Sequence, residues 1–203
     1  MAVETLSLVS CEGKFEWDGT EAMSKTLKRY LQSLKWDGIP RIDAIATEVL
    51  HAKPTKVLRE FFKSAVQRAF EPGCKVDRHL VLVGPTGIGK TSFFQKLFEG
   101  RLTTLQMTEA PTSWGVEFGP AGLLTETLKA YLSATRDLIR PGEEILRGCV
   151  FVGTTEARDI LTDESGGRRF WVIECDGQIE FSSLDRDQLW AEAVAMFAKD
   201  MRS

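Results

Sequence analysis

At 203 residues and a net charge of −3, the chain has the length of one compact domain with a small helical extension, and no overall field that would draw it to nucleic acid. Its 43% hydrophobic and 27% charged content is ordinary for a soluble globular protein, and no apolar run approaches the roughly 20 residues of a membrane span. The amino terminus, MAVETLSLVSCEGKFEWDG, lacks the basic stretch of a secretory signal. Four scattered cysteines and only two histidines, His51 and His79, argue against zinc and for a reduced, cytoplasmic protein.

The periodicity predicts a helix from Glu21 to Trp36, with Leu27, Leu31 and Leu34 as its apolar stripe and Thr20 as its N-cap. WDGIPR, from Trp36 to Arg41, reads as a turn. Val57 to Phe70 is a second amphipathic helix, and EPGCKVD ends it. Residues 1–75 therefore form a helical segment ahead of an α/β core over residues 76–203. Leu80 to Val83 is a continuous apolar run, the mark of a strand buried on both faces. RLTTLQM supplies a short strand, Leu123 to Ser133 a helix, and Arg136 to Gly148 a hairpin around Pro141-Gly142. CVFVGTTE and FWVIEC are further strands, and Asp185 to Met201 is the closing helix. Strands alternating with helices predict a mostly parallel sheet.

Gly84-Pro85-Thr86-Gly87-Ile88-Gly89-Lys90-Thr91 fits the pattern Gly-x-x-x-x-Gly-Lys-Thr, set between a strand and a helix as that motif requires. Its glycines let backbone N–H groups converge on an anion, and the next helix adds its positive end. Lys90 would meet the β- and γ-phosphates of ATP, and Thr91 would be a ligand to Mg²⁺. Cleavage of the nucleotide needs more, and the ends of the other strands are where to look. Glu117, in the apolar segment SWGVEFGP, is a candidate for polarising water or supporting Mg²⁺; the alternative is a surface acid on an edge strand. Thr154 and Thr155 end a buried strand, and Thr155 is the candidate for contact with the γ-phosphate or the water; the alternative is a cap for EARDIL. Arg168 and Arg169 follow two glycines and precede an apolar strand. An arginine so placed can reach a neighbour's nucleotide, or simply pair with Asp163 or Glu164.

Together YLQSLKWDGIPRID, EPGCKVDRHLVLVGPTGIGKTSFF, LKAYLS, CVFVGTT, GGRRFW and DRDQLWAEAVA resemble, in order, the virulence-associated protein E family. These are P-loop ATPase domains of phages and mobile elements, related to superfamily 3 helicases and viral primase-helicases. The resemblance implies an AAA+-like P-loop core and a homo-oligomeric ring, a hexamer, with Arg168 or Arg169 acting in trans. It also implies a place in DNA replication in a bacterial host cell, beside a primase partner. In related helicases a hairpin before the sensor strand touches DNA. Here its Pro-Gly-Glu-Glu tip is acidic, so DNA contact would be weak and carried by Arg136, Arg140 and Arg147. Two departures matter: Pro120 stands where the family has a second glutamate, and Glu156 directly follows Thr154-Thr155, where a sensor asparagine is usual. They support the competing reading, a nucleotide-binding regulatory or assembly module with weak or no hydrolysis. A small-molecule P-loop kinase fits less well, because GGRR leads straight into a strand.

Overall fold

The computed structural model describes residues 7–10, 21–54, 56–98, 103–106, 136–140, 143–146, 150–156 and 169–201. Within them lie seven strands, β1 (Ser7–Ser10), β2 (His79–Val83), β3 (Thr103–Gln106), β4 (Arg136–Arg140), β5 (Glu143–Leu146), β6 (Phe151–Thr155) and β7 (Phe170–Glu174). Five helices accompany them: α1 (Glu21–Ser33), α2 (Ile42–Glu48), α3 (Val57–Phe70), α4 (Lys90–Phe98) and α5 (Arg186–Asp200). None is long and apolar enough to cross a membrane.

The fold is α/β. Five strands form one sheet in the order β3-β1-β6-β2-β7. The parallel part is β6-β2-β7, with Val83 level with Thr155 on one side and Glu174 on the other. β1 runs antiparallel to both β6 and β3, so the sheet is mixed rather than mostly parallel. The difference comes from Ser-Leu-Val-Ser near the amino terminus: a short stretch with β-branched and aliphatic residues can complete an open sheet edge. β4 and β5 form the expected antiparallel hairpin as a separate sheet, with a register shift between Leu138 and Arg140.

β2 and β6 are buried along their whole length, as strands covered on both faces must be. α3 buries Leu58, Phe61, Phe62 and Val66, and α4 buries Phe93, Phe94 and Leu97. Trp190 of α5 ties these helices together. Its ring packs edge-on against Phe62 at 4.9 Å between centroids, and its indole N–H donates to the Leu97 carbonyl at 3.0 Å. The helix that follows the glycine loop is thus wedged between two others. α1, α2 and α3 share this same apolar core with β2, α4 and α5.

α1 ends at Ser33, short of Trp36. Its last residue donates its hydroxyl to the Tyr30 carbonyl at 2.7 Å, and an Asx turn follows in which Ile39 N–H donates to Asp37 Oδ1 at 2.9 Å. Arg41 grips the same carboxylate through both terminal nitrogens, at 2.8 and 2.6 Å. The hydrogen bond from Arg41, then that from the Ile39 backbone, hold the Asp37 carboxyl down at about 2.

α2 is the helix that sequence periodicity does not announce. Its seven residues have no side-chain N-cap of their own. The cap comes from α5: the Glu192 carboxylate, 2% exposed, accepts from the backbone N–H of Arg41 at 2.6 Å and of Ile42 at 3.0 Å. Gln188 adds a second link, accepting from Asp37 N–H and donating to the Lys35 carbonyl. Glu192→Ala would leave the buried Ile42 N–H without its acceptor. The expected result is a loss of roughly 2–3 kcal/mol, read as a lower urea midpoint at unchanged slope. Wild-type stability in this variant would show that Glu192 does not hold the turn.

Candidate phosphate-binding site

The glycine loop leaves the carboxyl end of β2, and both neighbouring strands fix its first residues. Cys175 N–H donates to the Val83 carbonyl at 2.7 Å, and Gly84 N–H donates to the Thr155 carbonyl at 3.1 Å. A Cβ on Gly84 would lie 2.5 Å from the Cys175 carbonyl oxygen, so no larger residue fits there. Gly87 and Gly89 have φ of +82° and +96°, the left-handed region that favours glycine. A Cβ at Gly87 would meet nothing within 4 Å: the loop's crest faces open space. Pro85 and Thr86 are exposed, and Ile88 is half-buried, its carbonyl accepting from Ile179 N–H at 2.9 Å.

α4 begins at Lys90 and carries no acid in its first turn, so its positive end is not neutralised from within. Lys90 is buried, and its ammonium lies 2.7 Å from the Gly84 carbonyl and 2.7 Å from that of Pro85. Two of its three donors therefore brace the loop. Burial pushes its pKa below the ordinary lysine value, and the nearby Glu156 carboxylate opposes that shift. Cys175 adds no charge, because burial raises its thiol to about 11.

Thr91 Oγ1 is 3.4 Å from Thr154 Oγ1. The hydroxyl that meets Thr91 is therefore that of Thr154, while Thr155, the residue favoured from sequence, joins the loop through its backbone carbonyl. Successive residues of a strand point to opposite faces, so the two threonines have different roles. Glu156 directly follows the same strand and acts electrostatically on Lys90. Its place beside Thr154-Thr155 was visible in the sequence, but its reach to Lys90 depends on the pairing of β6 with β2.

Arg169 lies at the amino end of β7, its carbonyl accepting from His79 N–H at 2.8 Å. β2 and β7 are parallel with His79 opposite Phe170, so the loop is at the far end of both strands. At about 3.3 Å per residue the separation is roughly 13–16 Å. Gly84 to Thr91, Thr154, Thr155 and Glu156 come together; Arg169 does not join them. Glu117, Arg168 and Arg147 lie outside the described residues. Arg136 and Arg140 are the end residues of β4, paired with Leu146 and Glu143. The hairpin meets the body at Gly73, where a Cβ would lie 2.8 Å from Leu146 Cδ2.

This arrangement fits a phosphate chain: a loop open at its crest, an unneutralised helix start and a buried ammonium. For a divalent cation the described residues offer the Thr91 hydroxyl, and among them no group of three acids, histidines or cysteines could hold a metal alone. No curated protein matches the chain. The family model for the virulence-associated protein E-like domain matches residues 31–203. The match takes in the Trp36–Arg41 turn, the glycine loop and α5 alike, and the chain belongs to the virulence-associated protein E-like domain family.

Proposed function

We propose that the chain is an ATP-binding and ATP-hydrolysing P-loop module of a phage or mobile element, working in DNA replication as an oligomeric ring. The observation that carries this reading is Lys90, buried under the loop and aimed at its carbonyls at the start of an acid-free helix turn. Such a site favours the most highly charged end of a nucleotide. Lys90 would hold the β- and γ-phosphates, Thr91 would take Mg²⁺, and Thr154 would fix the Thr91 hydroxyl. When bound, Mg²⁺ would offset charge on the phosphate oxygens. Glu117 would orient the attacking water, and Arg168 or Arg169 of a neighbouring subunit would face the γ-phosphate. DNA would be held weakly, through Arg136, Arg140 and Arg147, and a primase would be the working partner.

Glu156 supports the competing reading. A carboxylate within electrostatic reach of Lys90 repels a γ-phosphate where an asparagine would attract it. A regulatory nucleotide switch with slow or no turnover fits that charge. Single-turnover ATP hydrolysis, with and without single-stranded DNA and beside a mass measurement of the assembly, separates the two. Turnover stimulated by DNA in an oligomer supports the motor; tight binding without turnover supports the switch.

Glu117→Gln should leave ATP binding intact and lower turnover by about 10²-fold or more, the effect of removing a general base. Rapid-quench measurement of phosphate release checks it. Normal turnover in this variant would place the acidic function on another residue.

A further inference from the structure

A groove of about 810 Å³ runs along the outer side of α4. Ser92, Gln95 and Lys96 form one wall, and residues 181–187 form the other. It lies beside the phosphate-binding loop. Ser92 directly follows Thr91, and a Cβ on Gly89 would lie 3.2 Å from the Phe181 ring. The strand-to-helix connection that carries Phe181 is tied to the loop by the Ile179–Ile88 hydrogen bond.

We propose that this groove holds the nucleoside part of the nucleotide, with the base resting against Phe181; the inference builds on the phosphate-binding reading above. The charges along the groove balance and are already engaged. Asp185 accepts from Gln188 N–H and caps α5. Asp187 accepts from the Tyr30 hydroxyl at 2.6 Å and from the Arg186 guanidinium at 2.8 Å. Lys96 stands over the Phe181 ring at 5.2 Å from its centroid. A second phosphate chain would gain little here. An uncharged, flat, polar-edged group gains more: it meets an aromatic ring, the hydroxyls of Ser182 and Ser183, and the Gln95 amide. Aromatic rings hold bases through the π-face that every base has. The groove is also within the size range of small-molecule sites, about 300–1,000 Å³.

The test is an equilibrium titration of the full chain, with Mg²⁺ present, against ATP and against inorganic tripolyphosphate. The wild type should bind ATP at least about tenfold more tightly than tripolyphosphate, the scale of one base–aromatic contact. Phe181→Leu keeps an apolar side chain beside Gly89 but removes the ring. It should lose about tenfold in ATP affinity and leave tripolyphosphate binding unchanged. Gln95→Trp, at an exposed position of α4, fills the groove without touching the core and should act in the same direction even if Phe181→Leu fails to fold. Equal binding of ATP and tripolyphosphate by the wild type would overturn the groove assignment and leave the phosphate site standing. So would ATP affinity unchanged in both variants, or equal losses for both ligands. A wild type that binds neither ligand would overturn the phosphate-binding reading and the groove with it.

Discussion

Lys90→Ala is expected to remove most of the affinity for ATP, by about 30-fold to several thousand-fold. The figure follows from the usual cost of truncating one partner of a buried, hydrogen-bonded charge pair, about 2–5 kcal/mol, at 1.4 kcal/mol per factor of ten. Two effects add. The phosphates lose a cation held in a buried site, and the Gly84 and Pro85 carbonyls lose the donor that braces them. Titration with a fluorescent ATP analogue checks the first, and thermal melting of the unliganded variant reports the second. The wild-type protein offers an independent check through pH. Burial lowers the Lys90 pKa, so the free protein gives up this charge earlier than an exposed lysine, whose pKa is about 10.4. ATP affinity should therefore fall on the alkaline side, beginning below that value, and the fall should vanish in Lys90→Ala. Undiminished affinity in the variant would remove the nucleotide-binding reading.

Arg168→Ala or Arg169→Ala should leave ATP binding nearly unchanged while lowering stimulated hydrolysis by about 10³–10⁵-fold, the range known for arginines supplied across an interface. The placement of Arg169 sharpens this expectation. It sits at the amino end of β7 beside His79, while the loop of its own subunit lies beyond the opposite end of the strand. An arginine side chain does not span that separation, so a catalytic contact by Arg169 has to be made to another subunit. Mixing an arginine variant with Lys90→Ala should then restore activity, because some mixed interfaces regain both an intact loop and an intact arginine. Absence of rescue in a preparation shown to exchange subunits would assign Arg169 a structural role. A monomer hydrolysing at full rate would exclude the trans contact outright.

Much of the architecture was legible where one local pattern sufficed. α3 spans Val57 to Phe70 as its apolar spacing predicts, and β2 and α4 flank the glycine loop as the motif requires. What was not legible depended on partners distant in sequence. α2 is short, and its cap is the side chain of Glu192, some 150 positions away. β1 lies in a stretch assigned to a helical segment and gains strand pairing only from β6 and β3. Sequence alone favoured Thr155; the register of β6 against β2 instead puts Thr154 level with Leu82, with its hydroxyl at Thr91. Phe181 lies in none of the stretches that carry the resemblance, and only the fold brings it to Gly89. The family resemblance was readable from WDGIPR, PGCK and RRFW together, and the match over residues 31–203 bears it out.

The attachments of the loop to β7 give that strand a mechanical character. At its carboxyl end, the Cys175 N–H donates to the Val83 carbonyl, and the Cys175 carbonyl oxygen lies 2.5 Å from where a Cβ on Gly84 would be. At its amino end stands Arg169, bonded through its carbonyl to His79. Five residues of hydrogen-bonded strand do not stretch or fold within a sheet. A displacement of the loop that carried Cys175 along would be passed through β7 toward Arg169, against the hydrogen bonds that hold β7 to β2. In a ring, the far end of that strand would meet the next subunit's nucleotide, and each site would sense the filling of its neighbour through one short, stiff link.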